Sequence, residues 1–115
     1  MPTLQELKKE INIDFPLQQV WEAIPKAVDQ LDWEIVKQNS FAYEFIIRTA
    51  QALVSYFLIL EVELTALGQE TTHIVIYGEI PVTTINSTQP VNLTDNEINH
   101  FVSALSETMH FKILK

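Results

Sequence analysis

The chain contains no cysteine. That removes a disulfide framework, a zinc–thiolate centre and a thiol nucleophile from consideration. Glycine is nearly absent as well, with two residues in the whole sequence, Gly68 and Gly78. Too few remain for a glycine-rich loop that cradles phosphate. Positive charge is scarce and badly spread: 7 Lys+Arg face 15 Asp+Glu, for a net charge of −8. No Lys or Arg occurs from Thr49 through Phe111, while Glu61, Glu63, Glu70, Glu79, Asp95, Glu97 and Glu107 lie in that stretch. Nucleic-acid binding rests on cations that displace counterions from phosphates, so this distribution excludes it. Anionic membrane surfaces are excluded on the same ground. Long apolar runs are also missing. The most apolar segment, Ala52 to Leu67, is broken by Ser55, Glu61 and Glu63, whereas a spanning helix needs roughly 18 or more apolar residues. The first fifteen residues, MPTLQELKKEINIDF, lack the apolar core of a secretory signal. The expected setting is therefore the cytoplasm, where the glycosylation patterns Asn86-Ser87-Thr88 and Asn92-Leu93-Thr94 have no role.

What is present suffices for a self-supporting core. The 115 residues are 47% hydrophobic, and a chain of this size hides about two-thirds of its unfolded surface on folding. We expect one domain over residues 1–115, with residues 1–8 as a loosely ordered tail. Lys9 to Phe15 alternates, with Ile11, Ile13 and Phe15 on one side, as a half-buried strand does. Pro16 suits a first helical position. Leu17, Val20, Trp21, Ile24, Val28 and Leu31 then form one helical stripe, in which Pro25 predicts a kink or a division into two short helices. Trp33 to Gln38 and Phe41 to Thr49 read as strands joined through Asn39-Ser40. Leu53 to Leu67 is the longest alternating run, with Val54, Tyr56, Leu58, Leu60, Val62 and Leu64 toward the core. A turn at Gly68-Gln69-Glu70 returns the chain as His73 to Ile80, where Gly78 suggests a bulge or a close backbone approach. Pro81 to Leu93 reads as a connection. Thr94-Asp95-Asn96-Glu97 has the form of a capping box ahead of the stripe Ile98, Phe101, Val102, Leu105 and Met109.

The fold class is thus α+β, a curved antiparallel sheet of about five strands with two helices on one face, in the order β-α-β-β-β-β-α. Over residues 9–109, and through a pattern such as Val20-Trp21-Glu22-Ala23-Ile24, this order resembles small TATA-binding-protein-like domains. It also resembles a shortened helix-grip domain of the START and birch-allergen kind. The second resemblance implies a cavity between helix and sheet lined by Trp21, Trp33, Phe41, Tyr43 and Phe45, with a small apolar ligand as its guest. The same rings serve equally well as core anchors.

Chemistry-bearing residues are few. Glu97-x-x-His100 and Glu107-x-x-His110 have the spacing of di-iron bundle ligands, but both histidines fall off the apolar stripe of their helix. They read as a solvated face, so neither metal nor other cofactor is expected. His73 is expected opposite Thr65 or Glu63, on the sheet face away from the helices, with Glu61 and Tyr77. The cluster Glu61, Glu63 and His73 is either a general base with its orienting group or an ordinary set of cross-strand polar pairs. No nucleophile motif accompanies it, and we assign no catalytic residue.

The same parity rule places Val36, Ile46, Phe57, Ile59, Val75 and Tyr77 on that open face, with glutamates toward its ends. A water-facing sheet surface ordinarily reads polar. Apolar residues there point to a homodimer or protein-partner interface. The primary expectation is a non-enzymatic interaction or homo-oligomerising module. The alternative is a helix-grip pocket for a small hydrophobic ligand.

Overall fold

The computed structural model describes the backbone of residues 5–49, 59–80 and 88–110, and the side chains of residues 8–49, 59–78 and 96–110. Its elements are β1 (Gln5–Ile13), α1 (Leu17–Gln30), β2 (Glu34–Asn39), β3 (Glu44–Arg48), β4 (Ile59–Ala66), β5 (Thr72–Ile80) and α2 (Thr88–Met109). The strands form a five-stranded sheet in the order β1-β5-β4-β3-β2, each neighbouring pair antiparallel. The α+β class and the element order are those expected from the sequence.

Alternation fixes the two faces of the sheet. Phe45 and Ile47 of β3, Leu60, Val62 and Leu64 of β4, and Ile74 and Ile76 of β5 are buried. Their intervening neighbours are half-exposed. Both helices cover the buried face. From α1 come Val20, Ala23, Ile24, Ala27 and Val28, and from α2 Ile98, Phe101, Val102, Leu105 and Met109, all in one core with the strand residues. Burying side chains of this size contributes roughly 1.5–3 kcal/mol each, which is why the stripes hold against the sheet. Buried Thr72 closes one end, its hydroxyl donating to the Phe15 carbonyl at 2.8 Å.

Several boundaries differ from the sequence reading, each for a local reason. β1 begins at Gln5, so part of the expected tail is strand, paired from Gln5 opposite Ile80. α1 continues through Pro25 as a single helix rather than two. Pro25 is solvent-exposed, and its missing N–H removes one intrahelical hydrogen bond without ending the helix. The register runs through Gly78 without a shift. The bulge lies in β2 instead, between Ile35 and Lys37. β3 starts at Glu44, because Ser40 to Tyr43 form the turn. The Asn39 side-chain oxygen accepts the N–H groups of Phe41 and Ala42 at 3.0 and 3.2 Å, an Asx arrangement that reverses the chain. Tyr43 completes it at φ 54, and its carbonyl accepts Leu64 N–H at 3.0 Å.

α2 begins at Thr88, so Thr94 sits inside the helix and its capping box does not open it. Pro90 is the third helical residue, where N–H groups have no intrahelical acceptor, so proline costs no hydrogen bond there. The expected strand residues 53–58, Phe57 among them, and most of the expected connection 81–93 lie outside the described residues. Among the described residues no helix is long and apolar enough to cross a membrane.

Candidate functional site

The open face takes its geometry from register, since directly opposed residues share a face. One row across the sheet runs Lys8, Tyr77, Glu61, Ile46, Lys37. The next runs Glu10, Val75, Glu63, Glu44, Asn39. Of the six expected interface residues, Ile46, Ile59, Val75 and Tyr77 are half-exposed on this face. Glu61, however, is opposite both Ile46 and Tyr77. Carboxylates therefore run through the centre of the apolar cluster instead of standing at its ends. The bulge makes Val36 the extra residue of β2, 52% exposed. It also turns the parity beyond it, placing Lys37 opposite Ile46 and Gln38 opposite Phe45.

His73 is opposite Thr65 on β4, one of its two expected positions. Its polar partners come from the other neighbour, β1. Nε2–H donates to Glu10 Oε1 at 3.0 Å, and Nδ1 is hydrogen-bonded to the Asn12 side-chain oxygen. Glu63 is opposite Val75 rather than His73. Glu63 is thus a diagonal neighbour of His73 on the same face, with Glu61 one step further along β4. Both ring nitrogens of His73 are paired to side chains of β1. Glu10 was missed in the sequence because its pairing to His73 is remote; alternation in β1 was the only available signal. The His73 hydrogen bond, with Lys8 Nζ 3.6 Å away, holds the Glu10 carboxyl below the usual carboxylate range.

On α2, His100 Nδ1 pairs with Glu97 Oε1 at 2.8 Å on a solvated surface, and His110 is exposed. Among the described residues no group of three or more histidine, cysteine or carboxylate side chains gathers as a metal centre would.

The helix side presents the more specific arrangement. Trp21 of α1 lies on Phe45 with ring centroids 4.3 Å apart and on Tyr43 at 5.3 Å in a T-shaped contact. Trp21, Trp33 and Tyr43 are only partly buried at the margin of the core, while Phe45 is fully enclosed. Phe41, expected in this lining, is instead 97% exposed at the β2–β3 turn. The Asx turn that moves it out of β3 is the reason.

No protein-family model matches the chain, and no curated protein matches it. Solved structures do. An aromatase/cyclase, Zhui from Streptomyces sp. R1128, aligns with a TM-score of 0.64 at 10% identity, over 93% of this chain and 94% of that one. Norcoclaurine synthase from Thalictrum flavum, in complex with dopamine and hydroxybenzaldehyde, aligns with a TM-score of 0.62 at 8% identity, over 98% and 90%. A START superfamily protein from Mycobacterium smegmatis gives a TM-score of 0.56 at 10% identity, over 89% and 94%. At these identities the likeness is one of fold: helix-grip, START-like. Of the two resemblances read from element order, this supports the helix-grip one; a TATA-binding-protein-like relation is not shown.

Proposed function

We propose that this helix-grip chain is a binding protein that holds a small hydrophobic, preferably aromatic, molecule between its helices and the covered face of its sheet. The observation that carries the reading is the near full-length structural likeness to a protein that holds dopamine and hydroxybenzaldehyde. The chain's own chemistry agrees with it. Its helix side carries a large cluster of buried apolar residues, and partly exposed Trp21 and Tyr43 offer ring faces and edges beside enclosed Phe45. Such walls suit an apolar guest, whose surface they remove from water. Binding is proposed rather than turnover, because His73, on the opposite face, has both nitrogens committed to β1.

The test combines native mass spectrometry of the purified chain with chemical-shift mapping against hydroxybenzaldehyde as probe. A co-purified mass, or saturable shifts at Trp21, Tyr43 and the inner face of α2, is the expected result. Spectra unchanged at millimolar probe, with no added mass, would defeat the proposal. Trp21→Ala is expected to weaken the probe's binding about tenfold, equivalent to about 1.4 kcal/mol. A second reading, an interaction module that associates with itself, is favoured by a separate observation: the exposure of Phe41 and Val36 on the β2–β3 hairpin.

A further inference from the structure

We propose that the β2–β3 hairpin is a self-association surface, on which a second copy of this chain docks about a two-fold axis with each Phe41 seated in the other copy's hairpin depression. Phe41 is 97% exposed, and it is held rather than loose, since Asn39 fixes the backbone N–H groups of Phe41 and Ala42. A phenyl ring fully in water on a backbone held this way gains free energy from any contact that buries it. Beneath the tip, the same hairpin carries an open depression lined by Lys37, Gln38, Asn39, Glu44 and half-buried Ile46.

Knob and depression on one element are what an isologous contact requires, because a two-fold axis then makes two identical insertions. The charges fit the same geometry. Lys37 and Glu44 flank the depression, so each copy offers the other one cation and one carboxylate. Elsewhere the open face is crossed by Glu61, Glu63 and Glu10, and its cations Lys8 and Arg48 stand beside Glu10 and Glu34, so a broader face-to-face contact would bring its carboxylates together. The hairpin is where Lys37 offsets that acidity.

Simple extension of the sheet is a poorer alternative. β2 is an edge strand, but its bulge at Val36 and its outward Lys37 are features that block strand addition. The contact therefore runs through side chains at the hairpin tip. It is small, and a weak, reversible dimer is expected.

The experiment is sedimentation velocity on the full chain up to about 1 mM, the weak end of specific association. Wild type should dimerise reversibly. Phe41→Asp should weaken dimerisation at least tenfold with an unchanged circular-dichroism spectrum, since so exposed a ring supports little of the fold. The decisive arm uses Lys37→Glu and Glu44→Lys as separate proteins. Each alone should be monomeric, because its own two-fold contact sets like charges together. Their equimolar mixture should dimerise, since opposite charges then meet at both of the two-fold-related contacts between positions 37 and 44. A wild type monomeric throughout would overturn the proposal and leave Phe41 to a different partner. A dimer indifferent to Phe41→Asp, or a mixture no better than its components, would overturn it equally.

Discussion

The two faces of this sheet are built from adjacent residues of the same strands, yet they obey different rules. On the helix side, Phe45, Ile47, Leu60, Val62, Ile74 and Ile76 are all fully buried, and their stabilisation follows from apolar area removed from water. One residue along each strand, Ile46, Glu61, Glu63 and Val75 remain half-exposed, and cross-strand pairing decides what each contributes. The covered face is tolerant of sequence so long as volume is kept. The open face is sensitive to register, because a single slip changes every charge neighbour.

The sharpest way to break this contrast is truncation on both sides of one strand. Phe45→Ala should cost about 3–5 kcal/mol through lost burial and the cavity it leaves. Its neighbour Ile46→Ala should cost about 1 kcal/mol or less. Urea denaturation of both variants measures the difference, and equal losses would mean that the open face is covered. Next in size is Thr72→Val, which keeps the shape but removes the hydroxyl donated to Phe15. A loss of about 0.5–1.5 kcal/mol is expected, read from the same denaturation curves.

A smaller effect belongs to Glu10, and it depends on pH. Its folded pKa is lowered, first by the His73 hydrogen bond and then by Lys8. A depressed carboxylate contributes stability that is present above its unfolded pKa and lost as pH falls through the folded one. Denaturation midpoints taken down through the acid range should therefore fall less steeply in Glu10→Gln than in wild type. Superimposable slopes would show that the pairing is energetically idle, as many exposed ion pairs are. The smallest expected change is a gain. Glu44 and Glu63 are directly opposed, a like-charge pair, so Glu63→Gln should stabilise by about 0.2–1 kcal/mol at low salt. The gain should shrink as salt is raised.

How much of this was legible beforehand varied with the range of the interaction. The period-two pattern of β4 and the stripes of both helices named most of the core residues on those elements, because periodicity reports burial locally. His73 falls by parity on the open face, opposite Thr65 or Glu63 across the local β4–β5 hairpin, and the register selects Thr65. Its real chemistry, with Glu10 and Asn12, joins strands about sixty residues apart in sequence, and loop-closing pairings of that kind leave no local signature. The start of α2 lies at Thr88 rather than Thr94, because the capping-box form of Thr94-Asp95-Asn96-Glu97 occurs inside the helix and Pro90 is tolerated in its first turn.

The sequence by itself determined the α+β class, the order of elements, and the inward and outward parity of the central strands. These are consequences of residue size, polarity and period, which act along the chain. Only the tertiary structure decided the strand order, the bulge that lifts Val36, the turn that exposes Phe41, and the interleaving of Glu61 among the apolar residues of the open face. Each of those depends on which strand lies beside which, and in what register. That choice is made by burying both helix stripes on one sheet at once, a condition the whole chain satisfies and no segment of it can specify.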